Sequence, residues 1–467
     1  MARRFMAAAA VGAMLLVACG SDDKTSSSAA PASAAPVSAA PTDTTAAATE
    51  TSAATETSAA TETTAATETT AAGGAKTCGL GTGEKATGDP IKIGAVMTNI
   101  PGIEFIDGPN TENAYFKCVN DNGGINGRPL ELIVENDELD PGKATAAATK
   151  LIESDGITLM VGGFSILDCG INGAYYTQKG FNVVVASPVA ECFASPNIAA
   201  VNMGPHYSAQ GAAEYVVRAG AKGKLVHVTG NQPGADYNGS SVKTLAEQNG
   251  MQFEDVQLQL PIADGASVAR DLVDRAGPGG GVIITLVPSQ SLAIMQGASD
   301  QGIVNDVVWG SATPANDLSV AKAVGPEWDG KIGINAELSL LDAVNPDMDL
   351  YRATMAKYGG DTPIGSFGQM GFLMAQITVD TLLGIKGDIT VESANAALKA
   401  VVDYKTGILC KAWYFGNGDI HIPNNYDNTV TPDGDKFKLI PGEECFPITP
   451  LDPDLVKVRK YEADNGI

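Results

Sequence analysis

The chain is poor in positive charge, poor in histidine, and has no long apolar run. Thirty Lys and Arg stand against 54 Asp and Glu in 467 residues, a formal net charge of −24. The acids are spread along the chain, and no Lys/Arg cluster follows Arg3-Arg4. A surface that tracks phosphates needs such clusters, so nucleic acid is not expected as a partner. The three histidines, His206, His227 and His421, are isolated in sequence, and the seven cysteines contain no Cys-x-x-Cys pair. Neither pattern has metal-ligand spacing, so no metal is expected. The glycine-rich Cys78–Glu84 stretch precedes the first predicted strand instead of opening a helix after it, which excludes a dinucleotide loop. Gly162-Gly163-Phe164-Ser165 lacks the flanking glycines of a nucleophile elbow. The acidic run Glu135–Asp140 lacks the mid-loop glycine and terminal Glu of a calcium loop. With no nucleophile–base pair, cofactor loop or metal cluster, neither an enzyme nor a cofactor is expected.

What is present begins with a leader. Arg3-Arg4 precede an apolar stretch from Phe5 to Ala18, followed by Cys19-Gly20. At about 14 residues the stretch is too short to span a bilayer core of about 30 Å, and it has the form of a secretory signal peptide. Leu16-Val17-Ala18-Cys19-Gly20 resembles the lipobox of bacterial lipoproteins. That resemblance implies cleavage after residue 18 and a lipid on Cys19, which would attach the chain to the outer face of the cell membrane. Residues 19–76 then form a polar tether in which Ala-Ala-Thr-Glu-Thr-Ser/Thr repeats from Ala47 to Thr70. Without large apolar side chains these repeats have nothing to bury. As a flexible chain the tether reaches about 40 Å root-mean-square.

With Cys19 committed to lipid, six cysteines remain in an exported chain, and disulfides are expected with fifteen possible connectivities. Chain order favours Cys169–Cys192, Cys410–Cys445 and Cys78–Cys118.

From Pro90 strands and helices alternate. Ile91–Val96, Leu130–Glu135, Ile157–Val161 and Asn182–Ala186 read as strands. Asn110–Asn120, a helix opened by Asp140-Pro141, and Ala174–Lys179 read as helices. The rhythm restarts with a helix over Tyr207–Ala219, strands at Lys224–Thr229 and Val282–Val287, and helices at Asn238–Asn249, Ser267–Arg275 and Ser289–Asp300. Repeated βαβ units predict an α/β fold of two Rossmann-like lobes with parallel sheets, joined by a hinge. The expected lobes are residues 89–205 with 338–403, and residues 206–337 with 404–450. The helical pattern Ser366–Gly384 is expected to return to the first lobe.

Several segments carry a family resemblance. Ile91-Lys92-Ile93-Gly94, Asn120-Asp121-Asn122-Gly123-Gly124-Ile125-Asn126-Gly127-Arg128-Pro129-Leu130, Glu135-Asn136-Asp137 with Asp140-Pro141, Val161–Ser165 and Ala186-Ser187-Pro188 follow in order. Over roughly residues 90–440 the chain resembles the leucine/isoleucine/valine-binding proteins, type I periplasmic binding folds that serve ABC importers. The resemblance implies an interlobe cleft that closes on a small ligand, an amino acid or related polar solute, and presents it to a membrane permease. It implies that Ser165, with the N–H groups near Phe164, holds an anionic group, and that Tyr237 covers the ligand. Ala190 and Glu191 would lie on the next cleft loop. Thr285, Ser311 and Thr313 would end strands facing the cleft, and Phe105 would form an apolar wall.

Three positions depart from the family. Glu191 stands where a hydroxyl usually meets the ligand carboxylate, Ala312 where an acid usually meets the ammonium, and Tyr207 where another acid is common. The usual zwitterion clamp is therefore incomplete, and the ligand is left open. A surface sensor that reads cleft closure through a partner protein is the alternative reading.

Overall fold

The computed structural model describes residues 76–186 and 189–467. The leader, Cys19, nearly all of the tether, and Ser187-Pro188 lie outside the described residues.

Five strands make the first sheet: β1 (Ile91–Met97), β2 (Leu130–Asn136), β3 (Leu159–Gly163), β4 (Val183–Val185) and β5 (Ile198–Ala200). They run parallel in the order β2-β1-β3-β4-β5, and β1 pairs with β2 from Ile91 opposite Leu130 to Met97 opposite Asn136. β3 and β4 are buried along their whole length. Helices on both faces account for this, and for why these strands read as continuous apolar runs instead of alternating ones.

The second sheet holds β6 (Lys224–Gly230), β7 (Gln252–Leu258), β8 (Gly281–Thr285), β9 (Val308–Ser311), β10 (Ile332–Asn335), β11 (Thr429–Asp433) and β12 (Lys436–Leu439). Its order is β12-β11-β10-β9-β8-β6-β7, parallel except for the antiparallel β10/β11 and β11/β12 pairs. β7 was not legible in the sequence. Its Gln252–Leu258 run carries Glu254, Asp255 and Gln257 on a sheet edge, so no apolar run marks it.

The helices that matter for the cleft are α1 (Asp107–Asn120), α2 (Pro141–Thr149), α3 (Asp168–Lys179), α4 (Gly204–Arg218), α5 (Ala235–Gln248) and α6 (Ser366–Gly384). As the Asp-Pro signal predicts, the Asp140 carboxylate caps α2 by accepting from Lys143 N at 2.9 Å. α6 is buried almost throughout and packs on α1, with Phe367, Met370, Phe372 and Leu373 in the first-lobe core. The two helices approach closely at Gly371, where a Cβ would stand 2.1 Å from Gly108 O.

One part of the expected lobe division differs. Residues 404–422, assigned from sequence to the second lobe, pack on the first. Trp413 Nε1 donates to Ala200 O at 2.8 Å, His421 N to Phe193 O at 2.9 Å, and Trp413, Phe415 and Ile422 join the first-lobe core. Only from Thr429 does the chain enter the second sheet. A C-terminal helix, Pro453–Asn465, buries Leu455 and Val458 in the same core.

The structure pairs Cys78 with Cys118, Cys169 with Cys192, and Cys410 with Cys445. The first ties the segment before β1 to α1, and the second ties the start of α3 to the turn after the cleft loop.

Candidate functional site

A cleft lies between the two lobes, with about 720 Å³ of free space including its mouth. The carboxyl ends of parallel strands and the starts of the following helices build its walls, where ligands of open α/β sheets bind. The first lobe contributes Ile103 and Phe105 after β1, Ile166 after β3, Val189, and Phe367 and Met370 from α6. The second contributes Gln232 and Pro233 after β6, Leu260 after β7, Thr285–Val287 at the end of β8, and Thr313-Pro314 after β9. Asn202, Gly204, Pro205, Ser208 and Glu337 line the crossing between lobes. A short hairpin, Asn99–Ile100 with Ile103–Glu104, extends from the first lobe to the second, where Ser289 Oγ donates to Glu104 Oε2 at 3.3 Å.

Of the residues named from sequence, Phe105, Thr285 and Thr313 line this cleft. Phe105 meets Phe367 edge-on at 5.2 Å. Phe164 stands behind them, fully buried, 6.5 Å from Phe105 and 6.1 Å from Phe367, and braces the aromatic wall. Thr313 Oγ1 accepts from Asn335 Nδ2 at 2.8 Å and shares a hydrogen bond with Ser208 Oγ at 2.8 Å.

The others have different work. Ser165 Oγ accepts from Leu167 N at 3.0 Å and Asp168 N at 2.9 Å, and it donates to Asp137, so it serves the start of α3. Ala190 is half-buried and Glu191 is exposed outside the lining, where the Glu191 carbonyl accepts from Ser195 Oγ at 2.7 Å. Tyr207 is buried edge-on to Phe193 and His206. Tyr237 stacks on the His206 ring at 4.0 Å, and its carbonyl accepts from His206 Nδ1 at 2.6 Å. Ser311 is fully buried, donating to Ile284 O at 3.1 Å. In three cases the neighbour one position on is the lining residue: Ile166, Ser208 and Asn238.

Glu337 escaped sequence reading. Its carboxylate is 1% exposed, accepts from Met203 N at the start of α4, and accepts from Asn202 Nδ2 at 3.4 Å. Burial pushes this carboxyl up to about 7, while the Met203 N–H pulls the other way. Asp427, fully buried nearby, accepts from Ala336 N at 3.1 Å. Burial first, then the charges of Glu337 and Glu214, hold its carboxyl well above the usual range. The sequence signal was position alone: Glu337 closes the buried run of β10 at a strand's carboxyl end.

Among the described residues lining the cleft, none is Lys, Arg or His, and Glu337 is the one ionisable group. The cleft has a large apolar area, a hydrogen-bonding crossing, and no cation to meet a carboxylate.

A family model described as periplasmic binding protein matches residues 90–427. No curated protein sequence matches the chain. Solved structures share the fold. A branched-chain amino acid ABC transporter protein from Thermus thermophilus, with bound valine, is 16% identical with a TM-score of 0.67, covering 80% of this chain and 99% of that one. A fatty acid ABC transporter substrate-binding protein from Thermomonospora curvata is 18% identical with a TM-score of 0.65, covering 81% and 96%. A solute-binding protein from R. palustris in complex with benzoate is 17% identical with a TM-score of 0.63, covering 78% and 98%. Two parallel-sheet lobes, a cleft at the carboxyl ends of their strands, and a family match across most of the globular part agree: this chain belongs to the type I periplasmic binding protein family.

Proposed function

We propose that the chain is the solute-binding component of an ABC-type importer, holding a small solute between its lobes by hinge closure and handing it to a membrane permease. The observation that carries this reading is the apolar cleft itself, lined from both lobes and bridged by the Asn99–Glu104 hairpin. A ligand touching both lobes favours the closed arrangement by its differential contacts, and closure is what a permease reads. Solved structures of the fold include a valine-bound protein, a fatty acid ABC transporter protein and a benzoate complex, so the fold tolerates unlike solutes and this chain's own lining decides.

Periplasmic binding proteins work outside the cytoplasmic membrane, and the basic-then-apolar leader supports export. Cys19 is proposed to carry the lipid that holds the chain at the cell surface, with the Ala/Thr/Glu tether giving the domain reach. Among the described residues no helix is long and apolar enough to cross a membrane. Labelled palmitate should enter the wild-type chain and not Cys19→Ala, which should appear in the medium. Equal labelling of both would refute the anchor. Uptake of the bound solute should fall in cells lacking the chain; unchanged uptake would refute the importer role.

A further inference from the structure

The hydrogen-bond directions around the cleft have a fixed sense. Asp255 Oδ1 lies 2.6 Å from His227 Nδ1, and His227 Nε2 lies 3.0 Å from Thr285 Oγ1. A carboxylate only accepts, so Nδ1 carries the proton, and a neutral ring then offers Nε2 as an acceptor. With the ring in that neutral form, the Thr285 hydroxyl donates to Nε2. Its lone pairs are what remain for the cleft that Thr285 lines. A fully buried imidazole and the edge-strand Asp255 thus turn a hydroxyl that could point either way into an acceptor.

The second acceptor is Glu337, a buried carboxyl in the cleft lining. The start of α4 borders the cleft, and helix N-termini attract negative charge. Met203, the residue just before this helix, donates its N–H to Glu337, which puts a carboxyl of the chain's own beside that helix start. The start of α3, beside the lining residue Ile166, is filled: Leu167 N and Asp168 N go to Ser165 Oγ, and Ser165 donates to Asp137. At the start of α3 the chain's own Ser165 thus takes the N–H groups that a ligand carboxylate would use. The remaining wall, from Phe105, Ile166, Leu260, Leu286, Phe367 and Met370, is apolar.

We infer that the cleft selects a solute with an apolar body and a hydrogen-bond-donating head, an ammonium or a neutral amide, and rejects a carboxylate. This rests on the reading of the cleft as the solute site. Thr285, directed by His227 and Asp255, and Glu337 are the specificity-determining residues, and the Gln232 and Asn238 amides add contacts of either sense.

The test uses one carbon skeleton with different heads. Isothermal titration of the full chain against 3-methylbutylamine, isovaleramide, isovalerate and leucine should give binding of the amine or the amide and none of isovalerate. Thr285→Val should weaken the accepted head about tenfold, the loss of one buried hydrogen bond, while Thr285→Ser keeps it. Nitrogen NMR of the ligand-free chain, with His227 assigned by its loss in His227→Gln, should show the proton on Nδ1. A proton on Nε2 overturns the inference without reference to any ligand. Tighter binding of isovalerate or leucine overturns it while leaving the solute site standing. Silence from all four overturns it too, and the importer reading falls with it only if a panel of unrelated solutes is also silent. Ammonia released from isovaleramide would overturn it by making Thr285 a nucleophile.

Discussion

Replacing Glu337 with Gln should change the pH dependence of stability in a defined window. The wild-type carboxyl is fully buried beside Asp427, and hydrogen bonds from Met203 N and the Thr313 and Asn202 side chains only partly offset the cost of burying its charge. In the unfolded chain it ionises near the ordinary 4.5, and in the folded chain only near about 7. Below 4.5 it is neutral in both states and costs nothing. Between 4.5 and 7 the unfolded state gives up its proton first, so stability falls as pH rises, and above about 7 the loss is complete. The interval corresponds to roughly 3 kcal/mol. Gln keeps the size and an acceptor for Met203 N but cannot ionise. Urea unfolding of both proteins from pH 4 to pH 8 should give nearly equal midpoints at pH 4 and a variant more stable by about 2–3 kcal/mol at pH 8. Carboxylates held below their usual range, such as Asp347 and Asp452, act in both proteins and cancel in the difference. A flat difference curve, or a variant weaker at pH 8, would refute the reasoning.

Two further outcomes follow from packing and covalent links. Gly371→Ala sets a methyl against Gly108 O and should cost about 1–3 kcal/mol in urea unfolding, whereas Gly384→Ala, at the open end of the same helix, should cost nothing. Cys169→Ser with Cys192→Ser opens a loop of 23 residues and should lower stability by about 3 kcal/mol, read as a lower denaturant midpoint.

The strands read from sequence were legible because buried parallel strands leave continuous apolar runs, as in Ile283-Ile284 and Val183–Val185, and α6 because its nineteen residues carry no proline and are rich in large apolar side chains. Short strands such as Ile198–Ala200 and Ile332–Asn335 were not read. The polar edge strand Gln252–Leu258 left no such run. Residues 404–422 have little regular structure, and their side came from long-range contacts such as Trp413 to Ala200. Phe105, Thr285 and Thr313 of the expected residues line the cleft, and Ser165, Tyr207 and Tyr237 stand one position from residues that do. Family motifs carry over the strand end and the helix start, but side-chain direction at a helix start turns by about 100° per residue. Hence Ile166, Ser208 and Asn238 line the cleft where Ser165, Tyr207 and Tyr237 were expected. Glu337 meets Met203 across 134 positions, and the Asp255–His227–Thr285 chain joins three strands. No local spacing announces either.

The central claim, that a small solute binds in the interlobe cleft, is tested most directly by thermal unfolding of the full chain with Phe367→Ala alongside. The panel should cover amino acids, amines, amides, aromatic acids and short fatty acids. One class should raise the wild-type midpoint, by about 2.7 kcal/mol of stability at a hundred times its dissociation constant, and the rise should vanish in the variant, whose cleft wall is cut away. An equal rise in both proteins would place the solute elsewhere, and no rise with any class would contradict the account.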